Sequence, residues 1–363
     1  MTRQITVIFS LTALLIFIGC SKEKETTSTV PVAPTYVGSG ACRTCHAEIY
    51  AEFSETGHKS GLGTVTGGIP PAYPDTVQPA DLPPAGYSWG DISYVVGGFG
   101  WKTNFVDAQG YLVTGSETQW NLETQAWAAY DSNLSPGTKS FDCARCHTTG
   151  YEFSENGHQG GLPGIIGTWA ENGVTCERCH GPGGQHVFAP GEHGMQIDDG
   201  SELCGECHYG SEDYRIKASD GLIMHNQQYS ELISAGHANI PCALCHDPHR
   251  SAKYDAQNAI IAACTDCHNG KVVDHPGPDD CVLCHMPKSV LSAVPNGSGI
   301  YLRGDMRSHI FRINADISQG QFYPDGADMY SEGFNGLNFS CLSSCHGSES
   351  LAWAESNAGS IHP

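Results

Sequence analysis

The sequence predicts a mainly α-helical fold with much irregular coil, wrapped around covalently bound cofactors, plus a small antiparallel β insertion around residues 88–122. Three observations predict it. A Cys-x-x-Cys-His motif occurs seven times, and an eighth copy has one extra residue between its cysteines. Hydrophobic residues make up 39% of the chain, and it contains 44 glycines; the first value is low and the second high for a globular domain. Short segments with alternating apolar residues, typical of β-strands, follow the first motif.

Each motif has the signature of a covalent haem attachment site, in which two thiols bond to the porphyrin and the next histidine binds the iron. Zinc sites built from paired Cys-x-x-Cys segments, or a disulfide framework, leave the histidine after every second cysteine unexplained. Eight haem c groups are therefore predicted as cofactors. Their attachment residues are Cys42, Cys45, Cys143, Cys146, Cys176, Cys179, Cys204, Cys207, Cys242, Cys245, Cys264, Cys267, Cys281, Cys284, Cys341 and Cys345. The proximal iron ligands are His46, His147, His180, His208, His246, His268, His285 and His346.

Regular secondary structure is predicted in a few places only. Short helices are expected at the motifs, and Ala47–Phe53 has helical apolar spacing. The insertion, about residues 60–140, contains three predicted strands, Ile92–Val96, Lys102–Val106 and Tyr111–Thr114, with a turn at Asp107–Gly110. Four tryptophans in this region predict a small β core packed on a haem edge, rather than an electron relay or docking face: Trp89, Trp101, Trp120 and Trp127.

The supply of histidines favours electron transfer over catalysis. Of 18 histidines, eight belong to the motifs, which leaves ten for the second axial position of eight irons. Bis-histidine coordination fills both axial sites, and axial ligation is the main control on haem chemistry. An iron with both sites filled does not readily bind substrate but still carries one electron.

The N-terminal residues are typical of an exported lipoprotein. Arg3 precedes an apolar run, Ile5–Ile18, that is shorter than the roughly 20 residues of a membrane-spanning helix. Cys20 is the one cysteine outside the motifs, and we expect cleavage after residue 19 and lipidation of Cys20; an ordinary secretory signal is the alternative. Residues 20–36 are predicted to form a flexible tether, and residues 37–363 are predicted to form the haem domain. Lipid anchoring would hold the protein at the periplasmic face of a membrane or at the outer membrane or cell surface.

Charge narrows the classes of partner. The formal net charge is −21, which argues against nucleic acid, because nucleic-acid binding needs a basic surface. An acidic surface favours solubility and cationic partners.

Five segments carry a resemblance to a known family: Tyr36–His58, Cys143–Tyr151, Gly167–His186 (with the stretch Cys176-Glu-Arg-Cys-His-Gly-Pro-Gly-Gly-Gln-His186), Ile240–His249 and Cys281–Lys288. They resemble the multihaem cytochromes related to the tetrahaem cytochrome that accepts electrons from hydroxylamine oxidoreductase, of which this chain would be an octahaem lipoprotein member. The resemblance implies haems packed in stacked and perpendicular pairs. It also implies distal iron ligands at His58, His186, His237, His249 and His275.

Three further distal ligands are needed for eight irons. We add His225 and His309 from the histidine count, and for the eighth we favour His158 over His193 and His362. His249 lies three residues after His246, too close to reach the opposite face of the same haem, so it should bind a neighbouring one.

The leading hypothesis is an exported octahaem electron carrier, not an enzyme, that relays single electrons between a membrane or periplasmic donor and an outer acceptor. Its partners would be other cytochromes, quinol-oxidising complexes or porin–cytochrome complexes. One alternative is a reductase of a small nitrogen or sulfur oxyanion at one open iron, with the haem at Cys341 as the first candidate. A second alternative is an oligomer, in which subunits form a haem filament and donate a histidine across the interface.

Overall fold

The structure, a computed structural model, describes residues 35–195, 200–211, 213–275 and 280–362. These residues belong to one compact unit, Pro34–Pro363. The predicted signal segment 1–19, Cys20 and most of the 20–36 tether lie outside the described residues. Within the described ranges, no helix combines the length and apolar character that crossing a bilayer requires.

The helices are short, and most of them carry or border a Cys-x-x-Cys-His motif. None exceeds eight residues in the described part of the chain, so each buries little surface alone and depends on packing for its stability. The α-helices are α1 (Ser39–Arg43), α2 (Ala47–Ser54), α3 (Ala144–His147), α4 (Cys176–His180), α5 (Gly184–Phe188), α6 (Ser201–Gly205), α7 (Gln228–Ser234), α8 (Ala256–Ala259), α9 (Cys264–Cys267), α10 (Cys281–His285) and α11 (Leu351–Ala358). Short 3₁₀ helices lie at Trp89–Asp91, Gln159–Gly161, Cys242–Leu244 and Gly299–Tyr301, and a π-helix at Asn338–Leu342.

The strands form two five-stranded sheets and two small ribbons. The first sheet has the order β1-β2-β3-β4-β5 and is antiparallel throughout; the second has the order β10-β9-β8-β13-β12 with one parallel pair, β10 with β9. The strands are β1 (Leu62–Thr64), β2 (Ile92–Gly97), β3 (Lys102–Asp107), β4 (Gly115–Asn121), β5 (Ala126–Tyr130), β6 (Thr148–Thr149), β7 (Glu171–Asn172), β8 (Lys217–Ser219), β9 (Leu222–Met224), β10 (Val290–Leu291), β11 (Ile313–Asn314), β12 (Phe322–Asp325), β13 (Asp328–Ser331) and β14 (Asn335–Gly336).

The expectation of a mainly α fold is only partly right. Helix 47–53 is confirmed as α2, and short helices do mark the motifs. Strands, however, occupy about as much of the described chain as helices do. The second sheet lies in segments that the sequence analysis treated as coil, because its strands are two to four residues long and too brief for alternation to show.

The β insertion is confirmed in its position and antiparallel pairing. Strands β2 and β3 match the predicted ranges, and the turn between β3 and Tyr111 forms because Asp107 Oδ1 accepts hydrogen bonds from the backbone N–H of Gln109 (2.8 Å) and Tyr111 (2.9 Å). The prediction of a third strand at 111–114 is wrong. These residues form isolated β-bridges only, and the next strand of the sheet is β4.

Both faces of the first sheet are covered. On one face, Val96, Val106 and Leu112 pack with the segment that carries the second motif, including Phe141 and Ala144. On the other face, Phe105 packs against Trp89 and Trp127, with ring centroids 6.1 and 5.7 Å apart. Trp120 joins them at 5.4 Å from Trp127, whereas Trp101 lies beneath Lys253. One face of the insertion is thus built against a predicted haem site.

Candidate haem sites and their facing histidines

One large, mainly apolar cavity runs through the described chain, with a volume of about 3550 Å³. Its wall includes cysteines and histidines from all of the first seven motifs. A cavity of this size far exceeds the 300–1,000 Å³ that is typical of a small-molecule pocket. It therefore has room for several large groups rather than one.

Histidine rings face each other in pairs, and six of these pairs line the cavity, whereas His346 and His275 lie outside its wall. Seven of the eight motif histidines are matched with a second histidine from elsewhere in the chain. The centroid separations are 6.4 Å for His46–His186, 6.3 Å for His208–His58, 6.2 Å for His180–His249, 6.1 Å for His246–His309, and 5.9 Å each for His268–His237, His346–His275 and His285–His362.

These separations fit an iron bound between two imidazoles. A metal–imidazole bond is about 2.0–2.1 Å long, so two rings bound on opposite sides of one metal have centroids roughly 6 Å apart. Rings in direct contact also fall within about 4.5–7 Å, so the separation counts here because each of the seven pairs contains one motif histidine. The residues present therefore fit six-coordinate haem, with the motif histidine on one side and a remote histidine on the other.

The eighth motif histidine, His147, differs from the rest. Among the described residues, no second histidine ring lies in the contact range shared by the other seven pairs. Its Nδ1 lies 2.9 Å from the Gly61 carbonyl oxygen. His225 and Lys102 are nearby: burial, followed by the charges of Lys102 and His147, lowers the pKa of His225 to about 3.

Burial keeps several of these rings in the form that binds metal. It lowers the pKa of His58 and of His309 to about 4, with the neighbouring histidine charge as the next cause in each case. Both rings are therefore neutral near pH 7, and only a neutral imidazole has a lone pair for iron.

Backbone carbonyls fix the orientation of many rings. Nδ1 of His285 lies 2.7 Å from the Phe311 carbonyl oxygen, and Nδ1 of His362 lies 3.0 Å from that of Val272. A ring that donates from Nδ1 to a carbonyl leaves the Nε2 lone pair for the metal, which is the usual arrangement around metal-bound histidine. His186 uses the carbonyl of His193 in the same way, at 2.7 Å.

His158, which the sequence analysis favoured as the eighth distal ligand, lies elsewhere. Its Nδ1 is 2.5 Å from the Ile165 carbonyl oxygen, and its backbone bridges to Gly167 beside the first sheet. His193 contributes the carbonyl that orients His186 rather than a facing ring. The ring that faces His285 is His362, the remaining member of the three options.

Contacts between cysteines of different motifs reveal the order of the sites in space. Four pairs of thiols lie close enough to interact electrostatically: Cys42–Cys176, Cys146–Cys207, Cys204–Cys242 and Cys264–Cys281. Charge–charge proximity joins Cys179–Cys207, Cys245–Cys267, and Cys284 with both Cys341 and Cys345. Named by their first cysteine, the motifs follow one line: 42, 176, 204, 242, 264, 281, 341. The Cys143 motif branches from this line at the Cys204 motif.

The stretched motif keeps the local geometry of the others. In the standard motifs the histidine N–H donates to the carbonyl of the first cysteine, for example His208 to Cys204 at 2.9 Å. In the stretched motif, His346 N–H donates to the Cys341 carbonyl at 3.1 Å. The extra residue lies next to the π-helix Asn338–Leu342, whose wider turn accommodates one more residue than an α-helix does. The motif therefore presents His346 much as the others present their histidines.

Glu177 ties the first and third motifs together. Its carboxylate accepts hydrogen bonds from the backbone N–H groups of Val37 (2.9 Å), Gly38 (2.7 Å) and Gly183 (2.7 Å), and the residue is 1% exposed. Hydrogen bonds to a charged acceptor are stronger than those between neutral groups. Glu177 thus holds the segment before α1 against α4.

We expect Glu177→Gln to lower the stability of the haem-loaded protein by about 1–3 kcal/mol, because the new amide nitrogen would face backbone donors. The measurement is the thermal midpoint followed by circular dichroism in the haem absorption region. Glu206→Gln is the matched control, since Glu206 is exposed and pairs only with Arg178 (2.6 Å) among the contacts found; it should cost less than about 1 kcal/mol. Equal effects of the two changes would contradict the role given to Glu177.

Sequence comparisons match parts of the chain to haem proteins. Residues 168–269 match the family described as cytochrome c3, and residues 114–181 match the family described as cytochrome c554 and c-prime. Dissimilatory sulfite reductase MccA of Wolinella succinogenes is 22% identical over 251 residues, which is 52% of this chain and 34% of MccA. The chain thus spans about a third of the length of this curated relative.

Two solved structures are similar in fold. Outer cell wall cytochrome OcwA superposes with a TM-score of 0.56 at 21% identity, covering 90% of this chain and 86% of OcwA. The octahaem sulfite reductase MccA of Wolinella succinogenes superposes with a TM-score of 0.60 at 17% identity, covering 85% of this chain and 65% of MccA. At these identities the likeness concerns the fold. Motifs, fold and matches agree that the chain is a multihaem c-type cytochrome.

Proposed function

We propose that the protein is an exported octahaem cytochrome that relays single electrons along a line of bis-histidine haem sites. The observation that carries the proposal is the set of seven histidine pairs separated by 5.9–6.4 Å. When bound, haem iron supplies one-electron oxidation and reduction, with a potential set by its axial ligands and surroundings. This chain's part is to hold both ligands of each site and to keep successive sites adjacent.

The proposed distal ligands are the facing histidines: His58, His186, His237, His249, His275, His309 and His362. His225 lies near His147 but is not at the ring separation of the seven pairs, so the eighth iron is considered with the second candidate function. Each distal ligand comes from a segment remote from the motif that it serves, so the ligands also fasten the chain across its sites. His249 illustrates this, because it faces His180 of the Cys176 motif while its neighbour His246 serves the Cys242 motif, two sites further along the line.

The line of sites supports a relay with two ends. One end is the Cys42 motif, beside the start of the described chain, and the other is the Cys341 motif. The motif cysteines are exposed or half-buried at every site, so the ends differ from the other sites in having a neighbouring site on one side only. A partner that docks at either end would therefore meet the last site of the line.

The protein's location and partners follow from the same proposal. Export with lipidation of Cys20 would place it at a membrane surface, and two or more acyl chains would make the anchoring stable. The name of OcwA, an outer cell wall cytochrome, supports a position outside the cytoplasm. We propose other cytochromes or porin–cytochrome complexes as partners.

Two variants test the histidine pairs. One removes the proposed distal ligand His362, and the other removes His158, the alternative that the sequence favours. We expect His362→Ala to convert one haem in eight from low-spin to high-spin in the electron paramagnetic resonance spectrum of the oxidised protein, because His285 then has no partner. His158→Ala should leave the number of low-spin haems unchanged. Haem is quantified on the same samples. A high-spin signal from His158→Ala and none from His362→Ala would contradict the assignment.

A second candidate function is reduction of a small oxyanion at one open iron. The sequence analysis considered the Cys341 site first for this role, but His275 faces His346 at 5.9 Å, which favours a filled site there. The Cys143 site is the better candidate, because His147 lacks a ring at the separation found in the other seven sites. It also lies off the line of sites rather than within it, so ligand exchange there would not interrupt the relay. The name of MccA, an octahaem sulfite reductase, supports retaining this candidate.

A further inference from the structure

We propose that the Cys143 site binds a small inorganic anion on the side where strand β3 presents Lys102 and Asn104. This inference rests on the proposed attachment of haem at Cys143 and Cys146, and it deepens the second candidate function by naming the ligand class and the residues that receive it. Two observations carry it: the placement of Lys102 on β3 and an unpartnered buried donor on Asn104.

Strand β3 sets one face towards the Cys143 site. Residues two apart in a strand point to the same side, so Lys102, Asn104 and Val106 share a face, while Phe105 belongs to the opposite one. Val106 packs in the cluster that contains Ala144 and adjoins Cys143. Lys102 and Asn104 line the same cavity as Cys143 and His147. The β insertion therefore contributes a charged group and an amide to the part of the cavity wall that adjoins Val106 and the Cys143 site.

Asn104 supplies a donor with no partner in the protein. The residue is 8% exposed, and its Nδ2 atom is buried without a hydrogen bond. A buried polar atom without a partner costs about 1–3 kcal/mol, so such an atom calls for an explanation. A ligand that accepts a hydrogen bond in the cavity would satisfy it.

Charges of both signs surround this site. Lys102 lies near Asp305, and Lys253 lies near Lys288, Asp305 and Glu123. Asp142 adjoins Cys143, and its Oδ1 lies 3.7 Å from Cys143 Sγ.

Asp305 is engaged by the protein itself, because it accepts hydrogen bonds from the backbone N–H groups of Ser292 (2.7 Å), Ala293 (2.7 Å) and Val294 (3.0 Å). Lys102 lines the cavity and lies near Cys143. It is therefore the cationic group that this site offers to a small anion.

Lys102 is also held in place. Its Nζ donates to the Ser292 carbonyl oxygen at 2.7 Å, a contact between the β insertion and a segment 190 residues later. An ammonium group has three donors, so two remain for a ligand after this bond. A haem propionate is the competing acceptor, but Lys102 lies near Cys143. The thioether bonds of haem c form on the vinyl side of the porphyrin, away from the propionates.

Azide is a suitable probe, because it is a small anion that binds ferric haem and changes its spin state. We expect the oxidised, haem-loaded wild-type protein to bind one azide per eight haems. Lys102→Met should weaken this binding by about 10- to 100-fold, and Asn104→Leu by about 3- to 10-fold, the range for losing one hydrogen bond to a charged group. Lys102→Arg should retain most of the affinity. The readouts are optical titration and electron paramagnetic resonance of the one affected haem.

Lys217→Met is the matched control. Lys217 also begins a strand, β8, and its loss changes the net charge equally, but it does not line the cavity. Its azide affinity should equal that of wild type; an equal loss would overturn the proposal in favour of a general charge effect. Carbon monoxide, which is uncharged, should bind the reduced wild-type and Lys102→Met proteins alike.

Failure of the inference and failure of the proposed function give different results. Carbon monoxide binding without azide binding in wild type would show an open iron and overturn the anion site. Eight low-spin haems that bind neither probe would also overturn it, while the relay would stand. Fewer than eight haems on quantification would count against the proposed function itself. Lys102→Met protein that retains eight haems and full azide affinity would remove Lys102 from the site and contradict the inference.

Discussion

Without haem attachment, the chain is expected to lose its tertiary structure almost entirely. The cavity of about 3550 Å³ is lined mainly by apolar groups, and apolar surface left in contact with water forgoes about 25 cal/mol per Å². Net stability is only about 5–15 kcal/mol for a domain, so the chain is not expected to tolerate this much apolar surface in water. The facing histidines would also lack the metal that fixes their positions.

The experiment compares residues 37–363 made in a compartment that cannot attach haem with the same residues made with attachment. Near-ultraviolet circular dichroism and thermal unfolding report tertiary structure. The first sheet should be the last region protected from proteolysis, because Phe105, Val95 and Ile92 form a core of ordinary side chains. A cooperative thermal transition of the haem-free chain, similar to that of the loaded protein, would contradict this prediction.

Removing the haem site at Cys264 is expected to divide the line of sites. This motif lies between the Cys242 and Cys281 motifs, and no other cysteine contact joins those two in the described chain. Cys264→Ser with Cys267→Ser would leave seven haems. Five of them, at the 42, 176, 204, 143 and 242 motifs, lie on one side of the gap, and two, at 281 and 341, lie on the other. Because both cysteines are exposed, the change should perturb the fold less than loss of a buried site.

The measurement is flash reduction from a ruthenium label on Glu48→Cys, an exposed position in α2 beside the Cys42 motif. In the eight-haem protein, all haems should be reduced in the fast phase. In the variant we expect only five of the seven haems to be reduced in the fast phase. Reduction of the last two should be slower by orders of magnitude. Cys143→Ser with Cys146→Ser is the control, because that site is a branch; there, all seven remaining haems should be reduced quickly. Fast reduction of all seven in the Cys264 variant would mean that the order of sites is wrong.

The local features were predictable because their signals are local. A Cys-x-x-Cys-His segment specifies its attachment chemistry within five residues, and β2 and β3 alternate over enough residues for the pattern to show. The helix at Ala47–Ser54 likewise has a full apolar period. In each case the residues that determine the structure are neighbours in the chain.

The facing histidines were harder to predict, because their partners are remote. His46 and His186 are 140 residues apart, and no local pattern distinguishes His362 from His158. The preference for His158 came from counting alone, whereas the structure places His362 opposite His285. A backbone carbonyl next to Nδ1 does not distinguish a facing histidine from any other histidine, since His158 and His362 both have one.

The separation between facing histidines has a consequence for how the protein is made. His58 faces His208, and His285 faces His362, so a site opened by an early segment is closed only when a much later one arrives. Structures dominated by contacts that are distant in sequence form slowly. During export, the first haems would spend time with one axial position unfilled, and a wrong histidine could occupy it. The rate of biogenesis should therefore depend on how long the unfinished chain is kept from misligation, so assistance with folding would matter to yield as much as the attachment reaction.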